Sequence, residues 1–174
     1  MLGPLSVNRG VRMDETSQGV RDDGLLRSAV LKSVRKLRGL STADLATALN
    51  MPLRTYEHFE GGHGRLNLDY MHRFAEATGS DFHGLMHAIA IGSPAFAVRT
   101  ADNKFMTTFT IFLQAYDRRM GDRIRDLDAR SLIAAFGEMF EALAEVGGRR
   151  ADEAETFLEE GQEGLSARRP RPGR

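Results

Sequence analysis

LSTADLATALNMPLRTYEHFEGG, Leu40 to Gly62, decides the fold of this chain. It reads as two short helices joined by a tight turn. Ser41 is a natural N-cap, and Asp44 three residues on completes a Ser-x-x-Asp capping signature. Leu45, Ala46 and Leu49 recur at helical spacing until Asn50-Met51-Pro52 interrupts them. Pro52 has no amide hydrogen for a helix interior but suits a helix start, so a second helix begins there and runs to Glu60. Gly61-Gly62 then tolerates a left-handed exit. In this second helix Tyr56 and Phe59 point one way, and Leu53, Arg54, Glu57 and His58 point the other. An apolar inner face backed by an outer face of hydrogen-bonding groups is what a helix needs to sit in a DNA major groove.

Working outward, Gly24 to Arg38 is predicted to form the preceding helix. Leu26, Val30, Val34 and Leu37 make its core stripe, and Arg27, Lys32, Arg35, Lys36 and Arg38 line its other faces until Gly39 stops it. Beyond Gly62, His63-Gly64-Arg65 reads as a loop. Asn67 caps a fourth helix, Leu68 to Thr78, with Met71, Phe74 and Ala75 facing inward and Gly79 ending it. Ser80 or Asp81 caps a fifth, in which Phe82, Leu85, Met86 and Ile89 face the core. Five helices over 24–91 are expected to close one domain.

This stretch resembles the helix-turn-helix of the xenobiotic-response-element family, the lambda-repressor and Cro-like transcription regulators. The resemblance covers about Leu25 to Ala90. It is carried by Arg35-Lys36-Leu37-Arg38, Gly39-Leu40-Ser41, Leu45-Ala46, Leu49, Thr55-Tyr56, Phe59-Glu60 and Gly62, then by Leu68, Phe74-Ala75, Gly79 and Asp81. Thr42 stands where the family often has Gln, and Pro52 where it has Ser or Thr. The resemblance implies a DNA-binding domain with helix 53–60 as its recognition helix. It also implies that Arg35 pairs with Glu60, which makes Glu60 structural and not a base reader.

Outside this domain the composition shifts. Met1 to Asp23 is polar and aperiodic and reads as a disordered arm; Arg9, Arg12 and Arg21 would permit a minor-groove contact, but Asp14, Glu15, Asp22 and Asp23 favour an inert one. Gly92, Ser93 and Pro94 place a linker over 92–102. From 103 to 160 a helical hairpin is expected, its first helix passing a break at Gly121, its second ending at Gly147-Gly148, with a short third helix from Asp152 to Glu160. Phe105, Phe109, Phe112, Tyr116, Ile124, Leu132, Phe136, Phe140, Leu143 and Val146 recur there at core spacing. So small a helical segment buries little core alone, so these residues predict a homodimer, the alternative being helices packed back on the DNA-binding domain. Residues 161–174, rich in Pro and Arg, read as a disordered basic tail that adds DNA affinity or simply solubilises the chain.

Net charge is zero, but it is unevenly spread. Gly24 to Gly92 carries eight Lys/Arg against six Asp/Glu, whereas Ala101 to Glu160 carries eight against thirteen. A mildly basic module beside an acidic one fits DNA binding joined to protein contact. The chain has no cysteine, no apolar run of membrane-span length and no apolar N-terminal signal region, which predicts a cytoplasmic, nucleoid-associated protein with no membrane partner. His83 and His87 share a helix face but have no third ligand in sequence reach. Gly61-Gly62-His63-Gly64 lacks the Lys-Ser/Thr of a nucleotide phosphate loop. No catalytic set, metal or cofactor is expected, so the chain does not read as an enzyme.

The sequence thus predicts an all-α chain, a five-helix lambda-repressor-like domain followed by a small helical hairpin domain. It would be a sequence-specific regulator, a repressor rather than an activator, acting on double-stranded DNA as a homodimer. Leu53, Arg54, Glu57 and His58 would touch bases: Arg54 a guanine, His58 a neighbouring base, Leu53 a thymine methyl, Glu57 a cytosine. Lys36, Arg38, Thr42 and Arg65 would touch phosphates. The rival expectation is a protein-interaction module in which the helix-turn-helix is only a scaffold for polymerase, a co-regulator or a toxin.

Overall fold

A computed structural model describes residues 11–167, with side chains from 23 to 150 and that of Thr156. The outermost parts of the two terminal arms, 1–10 and 168–174, lie outside the described residues, as do the side chains of Arg12 and Arg21. Every regular element among the described residues is helical: α1 (Val11–Leu37), α2 (Thr42–Ala48), α3 (Leu53–Glu60), α4 (Leu68–Thr78), α5 (Phe82–Ala90), α6 (Pro94–Thr100), α7 (Phe105–Met120), a 3-10 turn (Gly121–Asp126) and α8 (Ala129–Ala167). The chain divides into two units, 1–119 and 120–174. No helix among the described residues is long and apolar enough to cross a membrane.

In the first unit, α1 supplies Val30, Leu31 and Val34 to the core, whereas Leu37, expected in the core stripe, is exposed. They meet Leu45 of α2 and Leu49 that caps it, Tyr56 and Phe59 of α3, Phe74 of α4 and Leu85 of α5. The caps follow local chemistry. Ser41 Oγ accepts the Asp44 amide at 3.1 Å while the Asp44 carboxylate accepts the Ser41 amide at 2.8 Å. The Ser41 hydroxyl also donates to the Asp44 carboxylate at 2.7 Å, and this bond first, the amide bond second, holds the Asp44 carboxyl below the usual aspartate range. Asn50 takes the left-handed turn at φ +51°, a conformation Asn tolerates better than other non-glycine residues. Asn67 caps α4, and Gly79 closes it at φ +61°.

Three expectations are corrected. The stretch 92–102 is not an open linker. Ser93 and Pro94, read as breakers, are instead an N-cap and a first-turn proline: the Ser93 hydroxyl accepts the Phe96 amide at 3.3 Å. The resulting α6 packs against α1 and α5 and buries Ala97, Thr100 and Ala101. It comes so close to α5 that a Cβ on Gly84 would lie 2.5 Å from Thr100 Oγ1. The arm expected over 1–23 is helical from Val11, continuous with the rest of α1. Gly147-Gly148 does not stop the last helix, which continues as α8 to Ala167 and absorbs both the expected third helix and the start of the tail. Each glycine costs a helix only about 1 kcal/mol, and Glu, Ala, Leu and Arg on both sides favour propagation.

Gly121, at φ +52°, ends α7 where a break was expected. In the second unit, Asp128 caps α8 by accepting the Ser131 amide at 3.0 Å.

Candidate nucleic-acid interface

Helix α3 has two chemically distinct faces. Tyr56, Phe59 and Glu60 are buried, whereas Leu53, Arg54, Glu57 and His58 are exposed. The inner face is held by a polar hub as well as by packing. Glu60, only 3 % exposed, accepts Arg35 Nε at 2.6 Å on Oε1 and Arg35 Nη2 at 3.3 Å on Oε2. The Tyr56 hydroxyl donates to the same Oε1 at 2.8 Å. Arg35 Nη1 also donates to the Leu40 carbonyl at 3.1 Å, so one guanidinium joins α1, the turn before α2 and the end of α3. Burial pushes the Tyr56 phenol well above its usual value, and the neighbouring carboxylate adds to the shift. The hydrogen bond to Glu60 raises Arg35 and keeps it charged.

The loop after α3 is also built into the core. Arg27 is buried on α1, where it donates through Nη2 to the carbonyls of Gly62 at 2.7 Å and Gly64 at 2.9 Å. Burial lowers its pKa, an effect that Asp23 opposes. One turn earlier on α1, the backbone of Gly24 meets that of Gly62, and a Cβ on Gly24 would lie 2.6 Å from the Gly62 oxygen. These contacts set the path of residues 61–65. His63 lies beside His58, ring centroids 5.1 Å apart, and Arg65 is exposed just beyond. On α3 and this loop, Arg54, His58, His63 and Arg65 are all exposed.

Of the residues expected at phosphates, Lys36 and Arg65 are exposed, and Thr42 is half-buried as the first residue of α2. Arg38 is half-buried and already has partners within the fold. Its Nε donates to the Thr78 carbonyl at 2.8 Å and its Nη2 to Asp102 Oδ1 at 2.5 Å, so it ties the end of α1 to the end of α4 and to the α6–α7 turn.

The ten residues expected at a dimer contact divide. Phe105 is half-buried with its ring 6.3 Å from Phe96, so it seats α7 on α6 rather than offering a free face. Phe109 and Leu132 are half-buried; Phe112, Tyr116, Ile124, Phe136, Phe140, Leu143 and Val146 are exposed. Ile111 and Leu113, which were not singled out from the sequence, are exposed as well, as is Ile133. Among the described residues, no three His, Cys, Asp or Glu side chains converge on a metal-sized site. His87 Nδ1 lies 2.9 Å from the His83 carbonyl, within its own helix.

Arg27 and Asp81 are the residues whose roles sequence reasoning underestimated. Arg27 stands four and seven residues before Leu31 and Val34, on the stripe that faces the core, and that spacing was the available signal. Comparison of the chain with protein-family models, with curated proteins and with solved structures gives no match.

Proposed function

We propose that this chain is a sequence-specific DNA-binding transcription regulator of the helix-turn-helix kind, which works as a homodimer and represses by occupying its operator. The observation that carries the reading is the outer face of α3, where Leu53, Arg54, Glu57 and His58 stand exposed on a helix anchored by the Arg35–Glu60–Tyr56 hub. Base edges in the major groove are read by such hydrogen-bonding groups on a rigid helix, and the guanidinium fork matches O6 and N7 of guanine. Arg65 and the backbone amides around it supply phosphate contacts, as do Lys36 and the α2 N-terminus at Thr42. A nucleoid-associated cytoplasmic location follows from this reading.

Selection of bound sequences from randomised duplexes tests it. Arg54→Ala is expected to weaken binding to the selected site by about 1–3 kcal/mol and to relax preference at one base pair. Arg65→Ala is expected to weaken all sequences alike and to lower the salt slope by about one unit. Unchanged preference in Arg54→Ala would show that α3 does not read bases.

The homodimer rests on a pattern in α8. Leu132, Phe136, Met139, Leu143 and Val146 follow at spacings of four, three, four and three, the repeat of a two-stranded helical seam. Phe136, Leu143 and Val146 of that seam are exposed within one chain, and a second copy covers them. Pairing two reading domains raises affinity by about 10²–10⁴-fold through effective concentration. The full-length double variant Phe136→Glu, Leu143→Glu is therefore expected to be monomeric in light scattering and to bind a paired site on the order of 10²-fold more weakly. A wild-type chain that is monomeric at micromolar concentration rules the dimer out. The same exposed residues also support the second reading, an interaction module that binds another protein. Saturable, salt-sensitive, sequence-selective DNA binding separates the two.

A further inference from the structure

The carbonyls of the loop after α3 are turned inward, and one side chain turns them. Arg27 is 6 % exposed, so it does not reach a bound nucleic acid itself. Its Nη2 donates to the carbonyls of Gly62 at 2.7 Å, His63 at 3.4 Å and Gly64 at 2.9 Å. A buried cation held in this way needs the negative ends of the peptide dipoles pointed at it.

Peptide geometry then fixes what the other side of the loop presents. A trans peptide sets its N–H opposite its C=O, and no peptide bond among the described residues is cis. With the His63 and Gly64 carbonyls aimed at Arg27, the amides of Gly64 and Arg65 point away from it. Both residues are exposed, and neither amide has an acceptor among the described residues. The amide of His63 is taken by the His58 carbonyl at 3.2 Å, which keeps the loop on the end of α3. Successive free amides beside a left-handed residue make an anion-binding concavity, and Gly64 sits at φ +72°. The His58 ring is close by, since a Cβ on Gly64 would lie 3.7 Å from its Nε2. Two amides, an imidazole and the Arg65 guanidinium suit a phosphodiester oxygen, an acceptor that carries charge. Gly62, at φ +75°, and Gly64 have no Cβ and change conformation at little cost. Arg27, with the backbone contact between Gly24 and Gly62, selects the one conformation that turns these amides outward.

We infer that Arg27 is a positioning residue for phosphate capture: from inside the domain it turns the Gly64 and Arg65 amides toward a backbone phosphate of bound DNA. The inference rests on the DNA-binding reading above and deepens it, and it involves the first unit alone. Without the guanidinium the loop carbonyls turn to water, the peptides rotate and the amides leave the phosphate.

The test uses full-length protein and the duplex that wild type selects. Each phosphate of that duplex is replaced in turn by an uncharged methylphosphonate, and affinity is measured for wild type, Arg27→Met, Arg27→Gln and Arg65→Ala. Wild type is expected to lose about tenfold in affinity at the phosphate that this loop holds, as for the loss of a charge-assisted hydrogen bond. Arg65→Ala identifies that position, because it is expected to reduce the penalty there without abolishing it. In Arg27→Met the same penalty is expected to fall to about threefold while the base preference set by Arg54 is unchanged. Arg27→Gln keeps N–H donors and is expected to lie between. An effect on folding alone lowers affinity for every duplex by one factor and leaves the penalty as it was. If Arg27→Met does not fold, Arg27→Gln decides. A wild-type penalty retained in the folded Arg27 variants overturns the role of Arg27 and leaves the regulator reading intact. So does complete loss of the penalty in Arg65→Ala, or its absence at every phosphate in wild type. Failure of wild type to select any sequence overturns the regulator reading itself, and the role of Arg27 with it.

Discussion

Arg35→Ala is expected to destabilise the first unit by about 3–5 kcal/mol, the cost of leaving a buried carboxylate without its cation. Glu60 is 3 % exposed, so water does not replace the two guanidinium bonds, and the Tyr56 hydroxyl alone remains to satisfy it. The Leu40 carbonyl loses its donor in the same step. Asp69→Asn, which breaks the exposed pair with Arg73, is expected to change stability by no more than about 1 kcal/mol, because both partners stay solvated. The double variant Arg35→Met, Glu60→Leu is expected to recover much of the loss, since an apolar pair has no desolvation to offset. Urea unfolding followed through exchange of core amides such as Phe74 reads all four proteins on the same unit. A loss below about 1 kcal/mol in Arg35→Ala would mean that Glu60 finds other partners and that α3 is not anchored through this hub.

Gly62→Ala is the second large effect, expected at about 2–5 kcal/mol. Gly62 sits at φ +75°, where an L side chain costs about 1–2 kcal/mol. Its Cβ would also run into the Gly24 carbonyl, backbone that cannot rotate aside, and such overpacking adds about 1–3 kcal/mol. Gly79→Ala separates the two terms. Gly79 has a similar φ of +61° but open space around its missing Cβ, so it is expected to lose only about 1–2 kcal/mol. Equal losses at the two glycines would show that α1 and the loop after α3 do not touch. The clash at Gly62 also pushes the loop off Arg27, so His63 and Arg65 are expected to leave the outer face of α3 and to weaken DNA binding without changing which bases Arg54 prefers.

What the sequence determined by itself was local. The Ser41–Asp44 box, the Asn67 cap, the α5 cap at Ser80 or Asp81 and the Gly79 stop each lie within a few residues of the amides or carbonyls they serve, so their chemistry can be read along the chain. The two faces of α3 were equally legible, because Tyr56 and Phe59 recur at helical period between polar neighbours. The pairing of Arg35 with Glu60, 25 residues apart, came from likeness to a family and from no local signal. The rest was decided by tertiary structure. Arg27 meets Gly62 across 35 positions and Arg38 meets Asp102 across 64, and nothing beside either arginine in sequence distinguishes an intramolecular fork from a phosphate contact. Asp81 shows its first cap in sequence but hides its second, because Met106 and Thr107 reach it only once α6 has packed against α1 and α5. A buried carbonyl or carboxylate takes whichever donor the fold brings within about 3 Å, and that distance is a property of packed helices and not of neighbours along the chain.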